Sequence, residues 1–193
     1  MKVLFLDFDG VICLSNNWGS RFKKQKKWGK RKMSMSFKDI PVEFRFDNFD
    51  NKAIKVLNEI IDKTNTEIVI SSDWRHHATL TELQQFFVSQ GVNKLPIDTT
   101  GNIENISPEF WKTIRNKANL EIERSIEIQD WLKKHPEITN WVAVDDLNMS
   151  VEFITNNFHN EMTSGLTNFV LTPKSNEGIK QTNLKEKIIN FLT

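Results

Sequence analysis

Val3-Leu4-Phe5-Leu6-Asp7-Phe8-Asp9-Gly10-Val11 is an unbroken apolar run that ends in two acids and a glycine. A short run without polar alternation reads as a strand buried on both faces, the kind a parallel sheet contains. In open α/β sheets, ligands bind at the carboxyl ends of the strands, which is where Asp7 and Asp9 stand. Two neighbouring carboxylates repel each other unless a cation lies between them. The stretch therefore predicts a metal site and a nucleophile.

The rest of the chain repeats the pattern. Residues 3–6, Glu67–Ile70, 141–144 and 168–171 read as short strands. Apolar residues at helical spacing (Ala53, Ile54, Leu57, Ile60, Ile61) predict a helix over 51–62. Further helices are expected over 79–90, stopped by Gly91, over 125–134, ended by His135-Pro136, and over 184–192. Residues 98–107 read as loop, and Ser107-Pro108-Glu109 as a helix start. Strands alternating with helices predict an α/β class with a central parallel sheet covered on both faces, in one domain over 1–193. Three strands end in polar residues: Asp7/Asp9, Ser71/Ser72 and Asp145/Asp146. A parallel sheet brings those ends to one edge.

The composition sets outer bounds. At 193 residues the chain can bury one sizeable core. Its formal charge of +1 favours no partner globally, and 38% hydrophobic with 26% charged residues is ordinary for a globular domain. One cysteine, Cys13, rules out an internal disulfide and fits a reducing, cytoplasmic setting. The acids at 7 and 9 interrupt the first apolar run, so a signal peptide is not expected. No stretch has the roughly 18–20 apolar residues of a membrane span. Nothing in the composition explains why six Trp and fourteen Phe accompany no Tyr.

Residues 15–48 form a basic insertion after the first strand. The span 15–46 holds ten Lys or Arg against Asp39 and Glu43, with Trp18, Phe22 and Trp28 interleaved and no sustained helical stripe. Charge combined with stacking aromatics suits single-stranded nucleic acid, and Lys27 and Trp28 are the candidate contacts. The plain alternative is a solvated loop.

Four carboxylates from two strand ends call for a hard cation. Oxygen-only ligands suit Mg²⁺, and no Cys/His cluster argues for zinc. Asp7 could attack phosphorus, Asp9 could serve as acid and base, and Ser71 could donate to a phosphate oxygen. Taken alone, the Ser71/Ser72 pair also fits helix capping. The plain alternative for Asp73 and Arg75 is that they pair with each other; His76 and His77 could touch substrate, although a His pair at a helix start is more often solvated or capping.

These residues carry a resemblance. Asp7-Phe8-Asp9-Gly10-Val11 resembles motif I of the haloacid-dehalogenase-like (HAD) hydrolases, and Ile68-Val69-Ile70-Ser71 resembles motif II. Val142-Ala143-Val144-Asp145-Asp146 resembles motif IV, and Arg124 fits the cation of motif III, just before a helix at 125. Lys112, Arg115 and Lys117 compete for that role. The resemblance implies a Rossmann-like three-layer α/β/α sandwich, Mg²⁺ dependence and phosphoryl transfer to water. It implies Asp7 as nucleophile, Asp9 as acid/base, and Asp7, Asp9, Asp145 and Asp146 around the metal. It also implies that the insertion is a cap selecting substrate. A narrower likeness, in Ser71-Ser72-Asp73-Trp74-Arg75 and the 124–132 and 165–167 stretches, points to the HAD subgroup associated with RNA repair. Ser72 and Arg75 join the substrate-binding candidates. The expected substrate is a phosphorylated RNA or DNA end, or a nucleotide. The rival readings are a nucleic-acid-binding module on a weakly active scaffold and a small-molecule phosphatase. Nothing in the sequence fixes the oligomeric state.

Overall fold

The structure, a computed structural model, describes residues 1–28, 36–101, 120–157 and 165–193. Five strands form one parallel sheet: β1 (Lys2–Leu6), β2 (Glu67–Ile70), β3 (Pro96–Thr99), β4 (Asn140–Asp145) and β5 (Phe169–Leu171), in the order β3-β2-β1-β4-β5. Strand β1 is central, with Leu6 level with Ile70 on one side and Val144 on the other. The order changes direction at β1, so the crevice at its carboxyl end is the expected ligand position. Seven helices are described: α1 (Ser20–Trp28), α2 (Val42–Arg45), α3 (Asn51–Thr64), α4 (Leu80–Ser89), α5 (Leu120–Lys134), α6 (Val151–Asn157) and α7 (Leu184–Leu192).

The period-two side-chain rule splits the core into two layers. Leu4, Leu6, Ile68 and Ile70 face one way and pack with α3, α4 and α7 through Leu57, Phe86, Phe87 and Ile188. Val3, Phe5, Val69 and Ala143 face the other way, against Ile128 and Trp131 of α5. Both faces are covered, which is why the strands lack polar alternation. The result is the three-layer α/β sandwich that the sequence implied. Among the described residues, no helix is long and apolar enough to cross a membrane.

Two elements escaped the sequence reading. Residues 98–107 were expected to be loop, yet β3 starts at Pro96 and runs through Asp98 and Thr99. It is an edge strand, half-exposed, so no apolar run marks it. The insertion shows no sustained helical stripe, and α1 forms there with no buried residue. Polar contacts hold it instead of a stripe. Asp47 Oδ1 accepts from Arg21 N at 2.7 Å and from Ser20 Oγ at 3.2 Å, closing the first turn. Lys24 Nζ donates to Phe46 O, and Gln25 donates to Phe44 O, both at 2.8 Å.

Arg45 ties this unit to the sheet layers. Its buried guanidinium donates to the carbonyls of Lys38, Ile40 and His77 and to both Glu82 oxygens. Glu82 also completes the capping box of α4 with Thr79. One arginine thus fixes the insertion to the helix that follows the β2 edge. The helix start expected at Ser107, and Lys30, Arg31, Lys32, Lys112, Arg115 and Lys117, lie outside the described residues.

Candidate active site

Asp7 leaves the end of β1, and its backbone N–H still donates to Val144 O. Its side chain is buried and faces the end of β4. One carboxylate oxygen from each of Asp7, Asp145 and Asp146 lies within 4.8 Å of the others, the spacing of a shared cation. Gly10 makes room for this cluster. It has φ +71°, and a Cβ there would run into the Asp146 carboxylate.

Arg124 reaches the cluster from α5. Its Nη1 donates to Asp7 at 2.9 Å, to Asp145 at 3.1 Å and to Ser71 O at 2.6 Å. Its Nη2 donates to Asp73 at 2.7 Å. The cation expected just before a helix lies inside one, because α5 begins by Leu120 rather than at 125. Burial favours the neutral guanidine, but Asp145, Asp7 and Asp73 outweigh it and hold Arg124 above its ordinary value.

The carboxyls are all displaced upward. Burial raises Asp7 well above the usual range, Asp145 adds to it, Arg124 opposes, and Asp146 and Asp9 push further up. Burial also raises Asp145 and Asp146, against the pull of Arg124. Among the described residues Arg124 is the one cation bonded to this cluster, which leaves it short of positive charge. An all-oxygen donor set with excess negative charge fits a hard divalent cation such as Mg²⁺.

Asp9 stands apart from the three. Its Oδ2 accepts from Trp74 Nε1 at 2.8 Å. Burial raises its pKa, while the hydrogen bonds from Trp74 and Cys13 pull it down. A carboxyl held above the ordinary range keeps its proton to higher pH, as a proton donor requires. Trp74 is itself fixed by stacking on Phe46, with centroids 4.3 Å apart. The motif reading had quoted Trp74 without giving it a role. Its contact with Asp9 spans 65 residues, beyond any local pattern.

Ser71 and Ser72 are buried at the end of β2, and neither hydroxyl has a hydrogen-bond partner among the described residues. Arg75 does not pair mainly with Asp73, as the sequence suggested. Its Nη2 meets both Glu127 oxygens at 2.7 and 2.6 Å, and Asp73 is 3.7 Å from Nη1. Asp73 goes to Arg124 instead. Burial pushes the Glu127 carboxyl up to about 7, against the pull of Arg75 and Arg124. The Nε and Nη1 of Arg75 have no hydrogen-bond partner among the described residues. Buried donors without acceptors are costly, so these groups, which follow the end of β2, point to an anion.

Lys27 and Trp28 fall away from this group. Lys27 is exposed on α1, and Trp28 stacks on Phe44 with centroids 4.9 Å apart. The residues of α1 that line the cavity next to Asp9 are Arg21, Phe22 and Gln25. Their spacing was hidden in a segment that read as a charge run. His77 lines the same cavity, and His76 lines a smaller one beside Arg75 and Arg124.

No curated protein and no solved structure matches the chain. The family described as the HAD domain in Swiss Army Knife RNA repair proteins matches over residues 3–172, a span that takes in every strand of the sheet and every acid of the cluster. The chain belongs to this HAD family and is, with it, a hydrolase-type enzyme.

Proposed function

We propose that the protein is a Mg²⁺-dependent phosphatase that removes a phosphate from a nucleic-acid or nucleotide end. The observation that carries the reading is the convergence of Asp7, Asp145, Asp146 and Arg124 with a separate, protonatable Asp9 at one sheet edge. The family's description supports the nucleic-acid part of it.

Asp7, Asp145 and Asp146 would hold the cation, together with the Asp9 carbonyl, as the family resemblance implies. Bound there, Mg²⁺ would offset the negative charge of the transferring phosphoryl group. An Asp7 carboxylate oxygen attacks phosphorus, and the bond from phosphorus to the ester oxygen breaks. Asp9 gives its proton to that oxygen as it leaves, so an alcohol departs and an aspartyl-phosphate remains. Asp9, now a carboxylate, takes a proton from water as the water oxygen attacks phosphorus. Phosphate leaves, Asp7 is regenerated, and Asp9 is again protonated. Arg124 orients the Asp7 carboxylate. The Ser71 and Ser72 hydroxyls and the Arg75 Nε and Nη1, which lack hydrogen-bond partners among the described residues, would bind phosphate oxygens.

A substrate panel with Mg²⁺ or EDTA tests the reading. Phosphorylated oligonucleotides should be cleaved well ahead of sugar phosphates, and only with Mg²⁺. Metal-independent cleavage, or a preference for sugar phosphates, would contradict it.

Two further outcomes follow from the cluster's geometry and charge. Gly10→Ala should weaken Mg²⁺ binding at least about tenfold by titration calorimetry, because the new Cβ displaces Asp146 from a strained backbone position. Magnesium affinity should also depend on pH through the neutral range. The cation binds only deprotonated carboxyls, and burial keeps these protonated to higher pH than ordinary carboxyls. Affinity should therefore rise steadily from pH 5 to pH 7.5 (about tenfold or more). A flat profile above pH 5 would mean ordinary carboxyls.

A further inference from the structure

A cavity of about 610 Å³ opens directly beside Asp9, between α1 and the loop after β2. Its apolar lining is Phe22, Phe37, Ile40, Phe46 and Trp74, and its polar lining is Asp9, Asp73, Arg21, Gln25 and His77. Small-ligand sites have this size and this mix of apolar wall and sparse polar groups. Two of the aromatics lack the burial expected of large apolar side chains. Phe22 is 61% exposed and Phe37 is 40% exposed. The Arg21 guanidinium lies 5.0 Å from the Phe22 ring centre, and Phe37 meets the edge of the His77 ring.

We infer that this cavity holds the nucleoside next to the scissile phosphate, with its base stacked on the exposed aromatic wall of Phe22 and Phe37. The inference rests on the phosphatase reading above and names which part of the substrate the insertion grips. Position assigns the occupant. In that reading Asp9 protonates the leaving oxygen, so whatever fills space beside Asp9 belongs to the leaving group and not to the phosphate. Shape and chemistry narrow it further. Exposed aromatic faces favour a flat ring, whereas a sugar alone would find few hydrogen-bond partners on Phe22, Phe37 and Ile40. Charge points the same way. Helix α1, which carries Phe22, also exposes Lys23, Lys26 and Lys27, which suits a polyanionic chain continuing past the base. Three of the lining's polar side chains are engaged: Gln25 donates to Phe44 O, Trp74 donates to Asp9, and Asp73 accepts from Arg124. Recognition by stacking alone tolerates any base, so little sequence preference is expected.

The test uses the full chain with Mg²⁺ and two sets of oligonucleotides, phosphorylated at the 3′ end or the 5′ end. In each set the terminal nucleotide either carries its base or is abasic. Binding and kcat/KM are measured separately for wild type, Phe22→Ala and Phe37→Ala. Wild type should prefer the base-bearing end about tenfold or more, the usual worth of one stacked base, and each variant should lose most of that preference. Equal handling of both ends by wild type would overturn the inference. So would an equal fall on both ends in the variants, which would mark Phe22 and Phe37 as structural. Failure to hydrolyse any substrate would sink the phosphatase reading, while the binding preference would still decide the pocket. Phe22 is mostly exposed, so its truncation leaves the buried core untouched, and a thermal melt of each variant verifies folding.

Discussion

Asp7→Asn should lower phosphate release by roughly four orders of magnitude, with little change in fold, because it removes a nucleophile rather than a packing group. The amide is isosteric with the carboxylate and can still face Arg124 and Asp145. It cannot attack phosphorus. It also removes one negative charge from a buried cluster that burial and Asp145 already press toward the protonated form. The variant should therefore melt at the same temperature as wild type or higher in the absence of Mg²⁺, and gain less from adding it. Circular dichroism melts with EDTA and with Mg²⁺ check the stability half, and a phosphate-release assay checks the activity half. Retained activity in a well-folded Asp7→Asn protein would reassign the nucleophile.

Arg124→Met should lose both activity and stability, and Mg²⁺ should partly restore only the second. Arg124 is the cation bonded to Asp7, Asp145 and Asp73 in a buried setting. Methionine fills similar space but leaves two buried carboxylates without their partner. Breaking such a group by removing one side costs about 3–5 kcal/mol. For a chain of this size that is a melting-point fall on the order of 10 °C. Mg²⁺ would supply positive charge to Asp7 and Asp145, so the rescue by Mg²⁺ should be larger than in wild type. Turnover should still fall by about 10²–10³, because the orientation of Asp7 and the charge facing the phosphoryl group are both lost. Arg124→Lys should fall between, keeping the charge but not the fork that reaches Asp73 and Ser71 O.

The legible part of this molecule was local. An apolar run followed by acids reports both a buried strand and what stands at its end, so β1, β2 and β4 and the residues Asp7, Ser71 and Asp145 could be read directly. Arg124 was legible as one of four candidate charges, and α5, which starts a turn earlier, carries it inside the helix to Asp7 and Asp145; Lys112, Arg115 and Lys117 lie outside the described residues. The illegible part depends on contacts across the chain. Edge strand β3 has too few buried residues to show a pattern. Helix α1 is held by Asp47, 26 residues from the Arg21 amide it caps. The Trp74–Asp9 pair links two strand ends, and the Asp73–Arg124 pair links the end of β2 to α5. Asp73 does meet Arg75, but only at 3.7 Å, because Glu127 and Arg124, brought over by α5, are closer partners. Lys27 and Trp28 looked like ligand contacts because charge and aromatics alternate there. The helix turns Arg21, Phe22 and Gln25 to the cavity instead, and Trp28 to Phe44.

The proposed chemistry runs through Asp7 as a covalent nucleophile. Wild-type protein mixed with Mg²⁺ and a phosphorylated oligonucleotide, quenched in acid within the first turnover and digested, tests this by peptide mass. The peptide bearing Asp7 should carry one phosphoryl group, at a level that rises and falls on the timescale of turnover, and the same peptide from Asp7→Asn should carry none. Phosphate release at full rate with no phosphoryl group on that peptide at any time would contradict it.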